Sequence, residues 1–179
     1  MAVKNIDMYP LLSGKSDSIE ISFEILPDPA PEFGITFYEP FTVSGDVTNR
    51  SGYIRLRLCA DAPYETECAR CLKPIRKIQS VMLDKTVAVR GTLEDEDADP
   101  VIDDYVFIED GVLDVESPFY EQLMLVLPAK ALCKEDCAGL CPHCGHDLND
   151  GDCGCKKHEI DPRLACLAKL LDGGSGEEQ

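Results

Sequence analysis

Six of the ten cysteines in this chain lie within the twenty-three residues from Cys133 to Cys155. This segment is rich in glycine, and its only large apolar side chains are Leu140 and Leu148. Two such side chains bury too little surface to offset the conformational entropy that a loop-rich segment loses on ordering. Thiolate ligands on a metal ion can supply that stabilisation. The sequence therefore predicts a metal-stabilised segment.

Eight of the cysteines form closely spaced pairs, and a short turn inside such a pair presents both thiolates to one ion. Because tetrahedral zinc takes four ligands, eight cysteines predict two structural zinc sites. The remaining Cys59 and Cys166 are interpreted as small apolar residues. The four pairs are Cys68/Cys71, Cys133/Cys137, Cys141/Cys144 and Cys153/Cys155.

Spacing alone leaves open which pairs share an ion. Cys141/Cys144 and Cys153/Cys155 close a local site, and Cys68/Cys71 then joins Cys133/Cys137; we favour this arrangement. In the rival arrangement, the four cysteines of 133–144 share an ion and Cys68/Cys71 meets Cys153/Cys155. His143 and His146 are predicted to be surface residues, because the thiolates already complete two sites. His158 is predicted to be a surface residue because it follows Lys156-Lys157.

The cysteine count also bears on location. The N-terminus carries Asp7 and lacks the unbroken apolar segment of a signal peptide, and no apolar run reaches the ~20 residues that span a bilayer. Cysteines in a chain of this kind are typical of reduced thiols in metal sites rather than of disulfides. We expect a cytoplasmic protein that does not enter a membrane.

The formal net charge is −17, and it is unevenly distributed. Residues 50–90 hold nine basic side chains against four acidic ones, whereas residues 91–121 hold twelve acidic and no basic side chains. Nucleic acid binding depends on Lys and Arg neutralising phosphates, so the overall charge favours a basic protein as partner. RNA contact through the 50–90 face is the alternative.

Alternating apolar residues predict an α+β fold whose N-terminal half is a mainly antiparallel sheet, either twisted or closed into a small partial barrel. A hairpin turn is predicted at 49–52, and Cys68–Cys71 at the tip of another hairpin. The predicted strands are 19–25, 34–48 with a bend or bulge near Pro40 and Gly45, one starting at 53, a further strand leading to Cys68, 75–90 and 106–108.

Two short helices complete the prediction. Ser117-Pro118 is typical of a helix start with Ser117 as N-cap, and Pro128 ends that helix. Asp161-Pro162 gives the same signal for a last helix. The expected organisation is a β-rich domain at 1–128, containing the basic hairpin (50–90), a mobile acidic loop (91–104) and a helix (117–127), then a Cys-rich zinc-knuckle segment with the terminal helix (129–172) and a disordered tail (173–179).

Four motifs of the chain form a recognisable set: Glu67-Cys68-Ala-Arg-Cys71-Leu-Lys-Pro74, Leu127-Pro128, Gly139-Leu140-Cys141-Pro142-x-Cys144-Gly145-x-x-Leu148-Asn149 and Asp161-Pro162-Arg163. Together they resemble the YceD family, bacterial and plastid proteins named for large ribosomal RNA subunit accumulation. The resemblance implies a non-enzymatic factor in the synthesis, processing or stability of large-subunit (23S) ribosomal RNA. Family members that lack the second cluster keep a His or Cys near the positions matching Cys133 and Cys137, which supports the favoured pairing.

The leading hypothesis is an acidic, zinc-stabilised adaptor for a basic large-subunit ribosomal protein or a pre-ribosomal particle. We find no catalytic constellation, and four thiolates leave zinc no open position for a bound water. One enzymatic alternative is a thiol–disulfide oxidoreductase acting through Cys141-Pro-His-Cys144. That chemistry favours a helix after the motif, whereas the turn-forming segment 145–151 follows here.

Overall fold

The computed structural model describes residues 4–29, 34–90 and 105–155. The chain divides into two compact units, Met1–Glu135 and Asp136–Gln179. Several predictions fall outside the described residues: the acidic loop 91–104, the helix from Asp161 with Cys166, the surface position of His158, and the tail 173–179.

The first unit is built on an eight-stranded sheet that curls into a half-barrel, which confirms the prediction of a sheet-dominated fold. Its order is β1-β8-β7-β6-β5-β4-β2, and β3 pairs with β5 outside this path. The β6–β7 pair is parallel and the other pairs are antiparallel. The strands are β1 (Asn5–Asp7), β2 (Ser18–Ile25), β3 (Thr36–Phe37), β4 (Phe41–Arg50), β5 (Tyr53–Glu67), β6 (Pro74–Val89), β7 (Tyr105–Glu109) and β8 (Val112–Asp114).

Alternation along the strands places the core on one face of the sheet, because successive side chains of a strand point to opposite faces. On β5, Ile54, Leu56 and Leu58 are buried while Arg55 and Arg57 are exposed, as predicted. The same core includes side chains from the N-terminal segment and from the helix that follows β8, namely Met8, Leu11, Phe119 and Leu123.

The predicted strand 34–48 is two strands in the structure, since β3 ends at Phe37 and β4 begins at Phe41, on either side of Pro40. Of the bend or bulge predicted near Gly45, the bulge is wrong, because the register of β4 with both neighbours continues through Gly45 without an extra residue. Gly45 is needed for another reason. A Cβ there would lie 1.9 Å from the Arg57 carbonyl oxygen, so the two backbones approach closely only with glycine.

The two strands predicted between residue 53 and Cys68 are one strand, β5, which contains Pro63. Proline lacks the N–H of a sheet ladder and is found in strands where one edge is unpaired. On the side away from β6, β5 pairs with β4 at 53–59 and with β3 at 64–65. Pro63 therefore lies in a short stretch of β5 whose one partner within residues 4–29, 34–90 and 105–155 is β6.

The predicted hairpins are confirmed. Ser51 and Gly52 join β4 to β5 with φ values of 55° and 89°, as a type I′ turn requires. The amide of Gly52 donates to the Asn49 side-chain oxygen at 2.9 Å. At the far end, β5 and β6 pair as far as Glu67 and Pro74, which places Cys68–Cys71 at the hairpin tip.

Two helices accompany the sheet: α1 (Tyr9–Leu12), which the sequence patterns do not predict, and α2 (Glu116–Val126). The prediction of Ser117 as N-cap is wrong, because α2 begins at Glu116 and its N-cap position is Val115. The Asp114 carboxylate accepts the Glu116 and Ser117 amides and so caps the first turn. The helix ends before Leu127, whose extended backbone is the conformation favoured before Pro128.

Candidate metal centres

The first group of cysteines is built on the β5–β6 hairpin tip. Its four Sγ atoms, from Cys68, Cys71, Cys133 and Cys137, lie within 4.8 Å of one another. The Ala69 amide donates to the Ala131 carbonyl at 2.8 Å, which brings the segment after α2 to the tip. The Cys71 and Cys133 sulfurs are 3.7 Å apart. Sulfurs on one tetrahedral zinc are separated by about 3.8 Å, given a Zn–S bond of ~2.3 Å.

The second group lies in the second unit and consists of Cys141, Cys144, Cys153 and Cys155, whose sulfurs also fall within 4.8 Å of one another. Leu140 and Asp147 form an antiparallel bridge around the first pair. Cys141 is buried, Cys153 and Cys155 are half-buried, and Cys144 is exposed. The second group is therefore more open to solvent than the first, in which only Cys133 is exposed.

The first pair of each group has the same backbone conformation. The amide of Cys68 donates to Lys73 and its carbonyl accepts the amide of Leu72, each at 2.9 Å. Cys141 makes the equivalent bonds with His146 and Gly145, at 2.8 and 2.9 Å. The residue after the second cysteine has a left-handed backbone in both, with φ of 59° at Leu72 and 73° at Gly145. Both pairs are knuckles that direct two sulfurs to one side.

Backbone amides near the sulfurs alter thiol acidity within each knuckle. The amide of Cys71 is the main cause that lowers the pKa of Cys68 to about 6, with help from the amides of Arg70 and Cys133. The Cys133 amide lies 3.4 Å from the Cys68 sulfur. The amides of Cys144 and His143 likewise lower the pKa of Cys141 to about 6. Hydrogen bonding to a thiolate favours the charged form, which is the form that binds metal.

The other thiols of the second group behave differently. Hydrogen bonds with the sulfurs of Cys144 and Cys153 raise the pKa of Cys155 to about 12. Several thiolates this close repel one another, so a cation is needed before all four can ionise together. Soft thiolate donors in sets of four select zinc or iron–sulfur centres among biological metals. Each group can therefore hold one metal ion.

One residue of this region was missed by sequence reasoning. Asn149 lies between the cysteine pairs of the second group, yet its amide nitrogen donates to the sulfur of Cys137 at 3.4 Å. Its side-chain oxygen accepts the Ala138 amide at 2.9 Å, and the Asp147 carboxylate accepts from its side chain. Side chains that hydrogen-bond a metal ligand orient that ligand. The one sequence feature that could have pointed to this contact is the position of Asn149 at the end of the glycine-rich motif, and that position does not indicate a role by itself.

The structure brings the eight cysteines together in the favoured pairing and not in the rival one. His143 and His146 are exposed, as predicted, and belong to neither group. Cys59 is exposed on β5 and directs its thiol to the Ser44 carbonyl at 3.5 Å.

Four arginines of the basic stretch 50–90 form ion pairs with carboxylates, and two of the partners, Asp46 and Glu109, lie outside the stretch, so its face is less positive than its composition indicates. Each pair has no net charge, so a phosphate near it meets little positive potential. Three of the acidic partners belong to neighbouring strands of the same sheet. The pairs are Arg55–Asp84, Arg57–Asp46, Arg76–Glu65 and Arg90–Glu109.

None of the helices in the described part of the chain is long and apolar enough to cross a membrane. Together, the curled sheet and the two four-cysteine groups define a β-rich protein with two candidate metal centres. The family model described as "Large ribosomal RNA subunit accumulation protein YceD" matches residues 56–171, a range that contains all eight cysteines. The chain belongs to the YceD family.

Curated relatives are similar over part of their length. An uncharacterized protein of Mycobacterium tuberculosis, Rv2926c, is 37% identical over 110 residues, which cover 62% of this chain and 52% of the relative. YlbN of Bacillus subtilis, also uncharacterized, is 36% identical over 73 residues, 38% of this chain and 41% of the relative. The chain therefore spans about half the length of the curated relatives it matches. No solved structure is significantly similar to it.

Proposed function

We propose that this protein is a non-enzymatic cytoplasmic factor that supports the synthesis, processing or stability of large-subunit (23S) ribosomal RNA. The observation that carries the proposal is the family match, which extends over residues 56–171. The family is named for accumulation of this RNA and not for a reaction. On this proposal the two cysteine groups hold structural zinc ions, since four thiolates leave zinc no open position for catalysis.

The protein acts, we infer, as an adaptor for a basic large-subunit ribosomal protein or a pre-ribosomal particle. A net charge of −17 favours association with basic partners and opposes contact with RNA. The ion pairs of Arg55, Arg57, Arg76 and Arg90 weaken the case for an RNA-binding face at 50–90, because those guanidinium groups already face carboxylates.

The thiol chemistry supports metal binding over disulfide exchange. A lowered pKa at Cys141 is a property of redox thiols. Here, however, Cys68 shows the same shift from the same arrangement of backbone amides. A shift shared by both knuckles follows from their common geometry, and each knuckle faces two further cysteines.

Two measurements test the proposal. Depletion of the protein from its host is expected to lower 23S ribosomal RNA relative to the small-subunit RNA, with recovery when the protein is restored. Capture from lysate at low salt is expected to recover a basic ribosomal protein or pre-ribosomal particles, and high salt should release them. An unchanged ratio of 23S to small-subunit RNA would contradict the role in ribosomal RNA accumulation. Captured material that survives nuclease treatment but contains no ribosomal protein would contradict the adaptor function.

A further inference from the structure

Strand β2 is the last strand at one end of the sheet, and among the described residues it pairs with β4 alone. Its eight residues leave one long edge that no strand in the described ranges covers. The edge strand at the opposite end of the sheet is β1, which has three residues. Natural proteins usually keep edge strands short or protect them with charged side chains, proline or a bulge. The sequence of β2, S-I-E-I-S-F-E-I, contains no proline, and its only charged side chains are Glu20 and Glu24, which repel acidic strands but attract basic ones.

The register shows which backbone groups of β2 face the free edge. The Asn49 amide donates to the Asp17 carbonyl at 2.9 Å, so this pair is hydrogen-bonded. The next pair, Ser18 with Thr48, must then be non-bonded, since the two types alternate in an antiparallel ladder. Odd-numbered residues therefore bond to β4, and the N–H and C=O groups of even-numbered residues point to the free edge.

One even-numbered residue has a local partner. The Ser16 hydroxyl donates to the Ser18 carbonyl at 2.6 Å and lies 3.4 Å from the Ser18 amide. This contact confirms that the backbone of Ser18 points away from β4. Glu20, Ser22 and Glu24 make no such contact with the described residues. They leave three N–H and three C=O groups in the spacing that a further strand would match.

The side chains of β2 specify what such a strand would carry. On the outer face, Glu20 and Glu24 are exposed. Residues directly opposite one another on paired strands interact, and opposite charges there are favourable. On the inner face, Ile21, Phe23 and Ile25 belong to the core. A strand with basic residues on one face and apolar residues on the other would complement both faces.

We propose that the free edge of β2 binds an extended basic segment of a protein partner, which adds to the sheet as one more strand. Main-chain hydrogen bonds to Glu20, Ser22 and Glu24 supply affinity, and lysine or arginine opposite the two glutamates supplies selectivity. This inference rests on the basic ribosomal partner of the proposed function and assigns it a binding surface.

The decisive variant is Ser22→Pro. Proline is tolerated on an edge strand where its nitrogen faces solvent, so the ladder between β2 and β4 is retained. The variant removes the central donor of the free edge and blocks close approach of a partner strand. We expect binding of purified basic large-subunit ribosomal proteins to weaken about tenfold. In the wild-type complex, amide hydrogen exchange should slow at Glu20, Ser22 and Glu24.

A second variant tests the charge argument independently of proline. Glu20→Lys combined with Glu24→Lys should weaken binding by a similar factor. The matched control, Glu39→Lys with Glu121→Lys, makes the same change in net charge at exposed carboxylates outside β2 and should bind nearly as well as wild type. Equal loss in both double variants would show that net charge alone directs binding, and would overturn the edge site.

The outcomes separate this inference from the proposed function. In one outcome, wild type binds a basic ribosomal protein while Ser22→Pro binds it equally well and amide exchange in β2 is unchanged in the complex. That result overturns the edge site and leaves the adaptor role standing. If wild type binds no such protein, the adaptor role fails. A peptide of alternating lysine and valine, eight residues long like β2, then decides the inference. Binding with slowed exchange at the three amides supports it, and no binding overturns it.

Discussion

The side-chain amide of Asn149 donates to the sulfur of Cys137 at 3.4 Å, although Asn149 lies in the loop between the two cysteine pairs of the other group. The same side chain accepts the Ala138 amide and contacts the Asp147 carboxylate. The loop between the cysteine pairs of the second group thus supports a cysteine of the first group.

Replacing Asn149 by alanine should weaken metal binding at the first group. The variant removes a donor from the Cys137 thiolate and leaves the Ala138 amide without its side-chain partner. Loss of a residue that hydrogen-bonds a ligand typically lowers metal affinity about 10–100-fold. Competition with a chromophoric zinc chelator measures this, and one of two ions should become easier to remove. His146→Ala, a change to an exposed side chain in the same segment, is the control; an equal effect there would contradict the assignment.

Removing the glycine of the second knuckle should lower stability, whereas introducing a glycine at the equivalent position of the first should not. Gly145 has φ of 73°, so Gly145→Ala places a Cβ in the left-handed region and should cost about 1 kcal/mol. Leu72 occupies the equivalent position with φ of 59° and is exposed, so Leu72→Gly should not lower stability. Thermal unfolding of the metal-loaded protein reads out both variants. A marked loss in Leu72→Gly would mean that the leucine side chain, and not the backbone, matters at this position.

Gly45→Ala should destabilise the sheet more than Gly145→Ala destabilises the second knuckle. The added Cβ would lie 1.9 Å from the Arg57 carbonyl oxygen, which is backbone and cannot rotate away. Separating β4 from β5 at this point should cost about 3 kcal/mol, the upper end of the usual range for overpacked cores. Urea unfolding gives the value, with the exposed neighbour Ser44→Ala as control. A cost below about 1 kcal/mol would show that the strands can separate freely.

Thiol reactivity in metal-free protein should be uneven. Amide hydrogen bonds lower the pKa of Cys68 and Cys141 to about 6, so both are mainly thiolates at pH 7. The pKa of Cys155 is raised to about 12 by its neighbouring sulfurs, so this thiol stays protonated. Because Cys68 and Cys141 are buried, the pH dependence of each alkylation rate, and not its absolute size, reports the pKa. In reduced, metal-free protein mapped by mass spectrometry, lowering the pH below about 6 should slow modification of Cys68 and Cys141, whereas modification of Cys155 should still accelerate at alkaline pH. The same pH profile at all three cysteines would contradict the assignment.

Strong local patterns make part of this structure predictable. Alternating residues on β2 and β5, the turn at Ser51-Gly52 and the pairing of closely spaced cysteines each depend on neighbours in sequence. The side chain that caps the first turn of α2 is not predictable in this way, because Ser117 and Asp114 can both accept first-turn amides and only the start of the helix decides between them. The parallel β6–β7 pair and the role of Asn149 depend on contacts between distant segments, which spacing does not encode.

Counting metal ions in the native protein by mass spectrometry tests the two candidate metal centres most directly. Two separate four-cysteine centres predict two zinc ions per chain. Cys71→Ser and Cys153→Ser should each lose one of the two, and Cys59→Ser should keep both, because Cys59 lies in neither group. Wild-type protein with a single ion, or loss of both ions from Cys153→Ser, would contradict two independent centres.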